Sequence, residues 1–108
     1  MSDLTFTRVG GFIGYMDRLE ISKDGIVVQK KRVGEPTTWT LSKEEIATLA
    51  GMLRRPGLFA KDRTLRSEGG ADRIYYTVQY RGVTISTGGG QVPADLGPVI
   101  EWCLKQLR

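Results

Sequence analysis

Residues Tyr15 to Arg32 read YMDRLEISKDGIVVQKKR, and this stretch decides the fold. Two strand-like segments, Tyr15 to Ser22 and Ile26 to Arg32, flank the corner Lys23-Asp24-Gly25. Asp-Gly supplies the positive φ angles of a tight hairpin, so the two segments are expected to pair antiparallel. Immediately upstream, Leu4 to Val9 (LTFTRV) alternates, with Leu4 and Phe6 on one face and Thr5 and Thr7 on the other. That is the period of a half-buried strand, interrupted by Gly10 and Gly11.

Downstream, residues 33 to 38 (VGEPTT) read as a loop from their Gly and Pro content. Ser42 and Glu45 form the S-x-x-E capping box that opens a helix. Ile46, Leu49, Met52 and Leu53 fall on one face of it, and Pro56-Gly57 stops it after Arg55. Ala60 to Asp72 shows no periodicity and reads as a long loop. Arg73 to Tyr80 (RIYYTVQY) and Val83 to Thr87 (VTIST) predict a second hairpin around Arg81-Gly82, with Ile74, Tyr76, Val78 and Tyr80 on one face. A last helix is expected from Asp95, as its cap, to Leu107, with Leu96, Val99, Ile100, Cys103, Leu104 and Leu107 forming its apolar stripe. Cys103 then reads as a small core residue. Two amphipathic helices need an apolar surface to cover, and a sheet with one polar face provides it. The expected fold is α+β, a two-layer sandwich of an antiparallel β-sheet in the order βββαββα, covered on one face by two α-helices. Thr5, Thr7, Tyr75, Thr77 and Gln79 are expected on its open face.

The chain has 108 residues, one cysteine and no histidine. Triad and dyad nucleophiles, a histidine general base and imidazole-ligated metal sites all need a side chain it lacks. A lone cysteine builds neither a thiolate zinc cage nor an internal disulfide. The length suits a single domain, 1–108, that folds without staples. No stretch approaches the roughly 20 apolar residues that span a bilayer, and no signal-peptide pattern opens the chain. The expectation is a cytoplasmic monomer with no membrane association, no metal and no cofactor.

The formal charge of +4 is unevenly placed. Residues 1 to 53 carry seven basic and seven acidic side chains, whereas 54 to 66 sets Arg54, Arg55, Lys61, Arg63 and Arg66 against Asp62 alone. This segment could steer an acidic partner or simply be a solvated loop. Without interleaved aromatics it is a poor nucleic-acid motif.

Gly10-Gly11-Phe12-Ile13-Gly14 is the most unusual local feature, since three glycines flank two large apolar side chains between strands. Glycine allows turn conformations and close approach by a partner, so the segment is either a binding loop or a bulged hairpin with Phe12 in the core. It lacks the following helix and the Gly-Lys-Ser/Thr triplet of a phosphate loop. Gly88-Gly89-Gly90 could hold an anion or be a plain connection. Among carboxylates, Asp17 and Glu20 differ in strand parity and should face opposite sides; Glu44 and Glu45 suit a helix first turn; Asp62 and Glu68 complete the pairs. Nothing in their spacing separates an acid from a base, and the chain is not expected to be an enzyme.

Arg8-Val9-Gly10-Gly11-Phe12-Ile13-Gly14 resembles the Arg-Ser-Gly-Gly-Phe-Ala-Gly opening of the emfourin-like proteins, small bacterial inhibitors of protealysin and related thermolysin-like metalloproteases. Asp72-Arg73-Ile74-Tyr75-Tyr76-Thr77-Val78 resembles their Asp-x-Phe-x-Tyr-x-Val strand, and the segment from Val92 to Trp102 resembles their closing Leu-Pro-Pro-x-Leu-x-Pro-Leu-Leu helix. The resemblance implies an antiparallel sheet packed by two helices and a thermolysin-like zinc metalloprotease as partner. The protease-binding residues would be Gly10, Gly11, Phe12, Ile13 and Gly14, with Glu68, Gly69, Gly70, Gly88, Gly89 and Gly90 as secondary contacts. The alternative is a non-catalytic interaction module that binds an acidic partner through the 54–66 basic segment or the polar sheet face.

Overall fold

The computed structural model describes residues 3–11, 14–66, 74–88 and 92–107. Seven strands form one sheet: β1 (Leu4–Gly10), β2 (Tyr15–Ile21), β3 (Ile26–Lys30), β4 (Thr37–Thr40), β5 (Arg63–Arg66), β6 (Ile74–Tyr80) and β7 (Val83–Gly88). Helices α1 (Lys43–Leu53) and α2 (Gly97–Gln106) complete the fold. The spatial order is β4-β3-β2-β1-β6-β7-β5, which makes β1 the central strand. The α+β class and both expected hairpins are present.

The first hairpin pairs Ile21 with Val27. Its corner is a three-residue loop, closed by Ser22 N donating to Ile26 O and Gly25 N to Ser22 O, each at 3.0 Å. Only Gly25 takes a positive φ there, +87°, so this is a turn followed by a glycine bulge rather than a two-residue hairpin. The second hairpin does use a two-residue turn, with φ of +50° at Arg81 and +81° at Gly82. Arginine in the left-handed region is unusual, since a side chain with Cβ crowds the following carbonyl.

Two strands correct the sequence reading. Residues 33 to 38 are not all loop, because β4 begins at Thr37 and pairs with β3, placing Trp39 opposite Val27. Ala60 to Asp72 is not all loop either, because β5 lies parallel to β7, with Arg63 beside Ile85. The sheet is therefore mixed, and the expected wholly antiparallel order gains a strand on each side of α1.

Strand alternation sends Leu4, Phe6, Leu19, Ile21, Val78 and Ile85 to one face, all buried. Leu49 and Leu53 of α1 and Val99, Ile100 and Cys103 of α2 cover that face, joined by Leu58 and Leu96. Burial pushes the Cys103 thiol up to about 12, so it stays protonated at neutral pH and acts as an apolar filler. The shortest dimension of the molecule is 21 Å. That is about one sheet plus one layer of helices about 10 Å across, so among the described residues no second layer covers the opposite sheet face. It carries Thr5, Thr7, Tyr75, Thr77 and Gln79, as expected.

The capping box is formed: Glu45 N donates to Ser42 Oγ at 3.1 Å and Ser42 N to Glu45 Oε1 at 2.9 Å. Ser42→Ala is expected to cost about 1 kcal/mol and lower Tm by about 4–8 °C, which thermal unfolding by circular dichroism would register. Asp95 is not a cap. α2 starts after Leu96 without a side-chain cap, and Pro98 lies in its first turn. The Asp95 carboxylate instead accepts from Arg63 Nη2 at 3.2 Å.

Candidate functional site

The Gly10–Gly14 segment joins β1 to β2, the strand pair at the middle of the sheet. Gly10, Gly11 and Gly14 have φ of +103°, +77° and +72°, values that L side chains rarely adopt. Gly14 N donates to Gly11 O at 3.0 Å, closing a four-residue turn. A Cβ on Gly11 would stand 3.2 Å from Ile74 Cγ1, and one on Gly14 would stand 3.3 Å from an Arg32 guanidinium nitrogen. The three glycines therefore set the path of the turn, and the chain behind it is already filled. Phe12 and Ile13, the apolar pair between them, lie outside the described residues.

Below the turn sits a clamp on the helix-covered side of the sheet. Arg8 and Asp17 are register partners. Nε and Nη2 of Arg8 donate to Asp17 Oδ2 at 2.9 and 2.6 Å. The same guanidinium lies 3.9 Å over the Tyr15 ring, whose edge is also the near neighbour of Gly11. An ion pair stacked on an aromatic face, two residues below the turn on each strand, holds the root of the loop in one geometry. In the sequence Asp17 stands out only as half of a carboxylate pair with Glu20. The signal that could have found the clamp was the hairpin register, which sets Arg8 opposite Asp17 once β1 and β2 are joined through residues 11–14.

Asp17 and Glu20 face opposite sides, as their parity requires. Glu20 lies on the open face, 3.2 Å from Arg18 Nε and 3.5 Å from Lys30 Nζ. Asp62 accepts from Thr84 N at 2.8 Å. Among the described residues no group of three or more His, Cys, Asp or Glu side chains could hold a metal.

The remaining expected contacts divide. Gly88 is buried, and a Cβ there would overlap the Tyr75 ring that crosses it from β6, so its smallness serves the sheet. Glu68, Gly69, Gly70, Gly89 and Gly90 lie outside the described residues. The strands that carry these segments nevertheless converge. Gly10 pairs with both Tyr15 and Ile74, and Gly88 pairs with both Tyr75 and Arg66. β5 and β7 thus end, and β6 begins, at the same end of the sheet as the β1–β2 turn.

The basic segment is divided as well. Arg63 is drawn inward, donating to Leu58 O at 3.1 Å and to Asp95, while Arg54, Arg55 and Lys61 are exposed.

No helix among the described residues is long and apolar enough to cross a membrane. No protein-family model matches the chain, and no curated protein matches it.

Proposed function

We propose that this protein inhibits thermolysin-like zinc metalloproteases by presenting the Gly10–Gly14 loop to the protease cleft. The supporting observation is the mounting of that loop. It springs from the central strand, its glycines occupy three positive-φ positions, and the Arg8–Asp17–Tyr15 clamp braces its root. A loop whose root is fixed before docking has less freedom to lose on binding, so more of its contact energy appears as affinity. The emfourin-like resemblance of Arg8 to Gly14 supplies the target class. Enzymes of that class prefer a bulky apolar side chain after the scissile bond, which Phe12 or Ile13 offers.

The inhibitor needs no catalytic group. Main-chain groups of the loop take the place of an extended substrate, and one apolar side chain fills the specificity pocket. The ends of β5 and β7 and the start of β6 widen the same surface, so residues 68–70 and 89–90 are the natural secondary contacts.

Inhibition kinetics on a panel of such proteases test this reading. The expected pattern is a raised KM with unchanged kcat, as befits occupation of the substrate cleft. Phe12→Gly or Ile13→Gly, whichever residue anchors the loop, is expected to weaken inhibition about 30-fold, the size of a 2 kcal/mol hot spot. Inhibition unchanged in both folded variants would remove the loop from the mechanism.

A further inference from the structure

At the opposite end of β1 from the glycine turn, a cleft of about 210 Å³ opens between the sheet and α1. Its floor is apolar, made by Leu4, Ile21, Ile46, Leu49 and Leu53. Its rim is cationic, with Lys23, Arg54 and Arg81 set against the single carboxylate of Asp3. Among the described residues Lys23, Arg54 and Arg81 form no ion pair. Arg81 lies 5.1 Å over the Tyr80 ring, itself part of the cleft wall.

Arg81 is the telling residue. It holds the first turn position of the second hairpin at φ +50°, where Asn, Asp or Gly fits without crowding. The fold accepts an arginine there, and that arginine lines the cleft. Unpaired cations around an apolar floor match a ligand with an aliphatic body and one anionic head. Inorganic phosphate would leave the floor unused. At about 30 Å³ per water-sized group the cleft takes roughly seven such groups. That suits a chain of about six to eight carbons within the cleft.

We propose that this cleft binds a free medium-chain aliphatic carboxylate, its tail on the leucine and isoleucine floor and its head against Arg54 and Arg81. The site is independent of the protease reading, since it lies at the other end of the central strand.

Titration of the ¹⁵N-labelled protein with octanoate, followed by amide shifts, tests it. Saturable shifts are expected at Ile21, Ile46, Ala50 and Arg81 in the low millimolar range or below, with Gly10 and Gly14 unmoved. Octan-1-ol, which lacks the charge, is expected to bind about tenfold more weakly. The double variant Arg54→Gln/Arg81→Gln is expected to lose about tenfold in octanoate affinity while its octanol affinity stays the same. Ala50→Phe, which fills the cleft, is expected to abolish the shifts in a protein that still melts cooperatively. Absence of saturable binding, equal affinity for acid and alcohol, or octanoate affinity unchanged in the double variant would overturn the proposal. Tighter binding of acetyl-Leu-Leu-Leu than of octanoate would overturn the free-acid assignment, because the same chemistry ends a peptide chain.

Discussion

Phe6→Ala is expected to lose about 3–5 kcal/mol of stability, the range for truncating a fully buried aromatic side chain. Phe6 is fully buried on β1 and stacks on Tyr76 of the neighbouring strand at 5.9 Å between ring centres. Its register partners Leu19 and Val78 are themselves fully buried, so neither strand can close over the gap without moving the sheet. Total stabilities are commonly about 5–15 kcal/mol, so the variant should populate the unfolded state measurably or fail to fold. Urea denaturation checks this: the midpoint should fall steeply while the m-value stays near that of the parent, since the surface exposed on unfolding is nearly the same. A loss below about 1 kcal/mol would mean that β1 is not the centre of the core.

Asp17→Ala is the second large effect. The Arg8 and Asp17 side chains retain only 20% and 11% of their exposure, on the helix-covered face of the sheet. Removing the carboxylate leaves a guanidinium there without its counter-ion, over the Tyr15 ring. Breaking a buried pair costs about 3–5 kcal/mol; the residual exposure of Arg8 lets water relieve part of that, so about 2–3 kcal/mol is expected. Replacing both charges, as Arg8→Met/Asp17→Leu, should recover most of the loss because no uncompensated charge remains. Chemical denaturation of the parent, single and double variants gives the comparison. The two variants should part company on stability and agree on function. The double variant recovers stability without the charged brace, so its inhibition should stay weaker than the parent's if the clamp orders the loop.

Much of the architecture was legible locally. Leu4 to Val9 alternates, Ser42 and Glu45 spell a capping box, and α2 repeats its apolar residues with helical spacing, so each element announced itself within a few residues. β5 was not legible, because its partner β7 lies some 20 positions away and a parallel pairing leaves no hairpin signature. Arg63-Thr64-Leu65-Arg66 is short and charged, and its inward arginine is held through Nη2 by Leu58 O and Asp95, contacts visible only once the chain has folded. β4 was obscured by Gly34 and Pro36 just before it, although Thr37-Thr38-Trp39-Thr40 is rich in strand formers. Asp95 looked like a cap because an acidic residue precedes an apolar run; the turn at Pro93 shifts the helix start beyond it, and Leu96 N donates to Pro93 O instead.

The candidate site was half legible. The glycines of the β1–β2 turn stand out in any reading, and their positive φ angles give that spacing its physical reason. The clamp beneath them was not, because Arg8 and Asp17 become neighbours only through the register of two strands. Nor could the sequence show that β5, β6 and β7 meet the turn at one end of the sheet. This arrangement joins segments that are more than 50 residues apart into one surface. The absence of histidine deprives the chain of imidazole for a zinc site of its own, whatever partner it binds.

The most direct measurement is the initial rate of several thermolysin-like zinc metalloproteases on a peptide substrate, with the purified protein added up to high micromolar concentration. Competitive inhibition of at least one of them, weakened by Phe12→Gly or Ile13→Gly, is expected. Full activity of every enzyme at the highest concentration would contradict it.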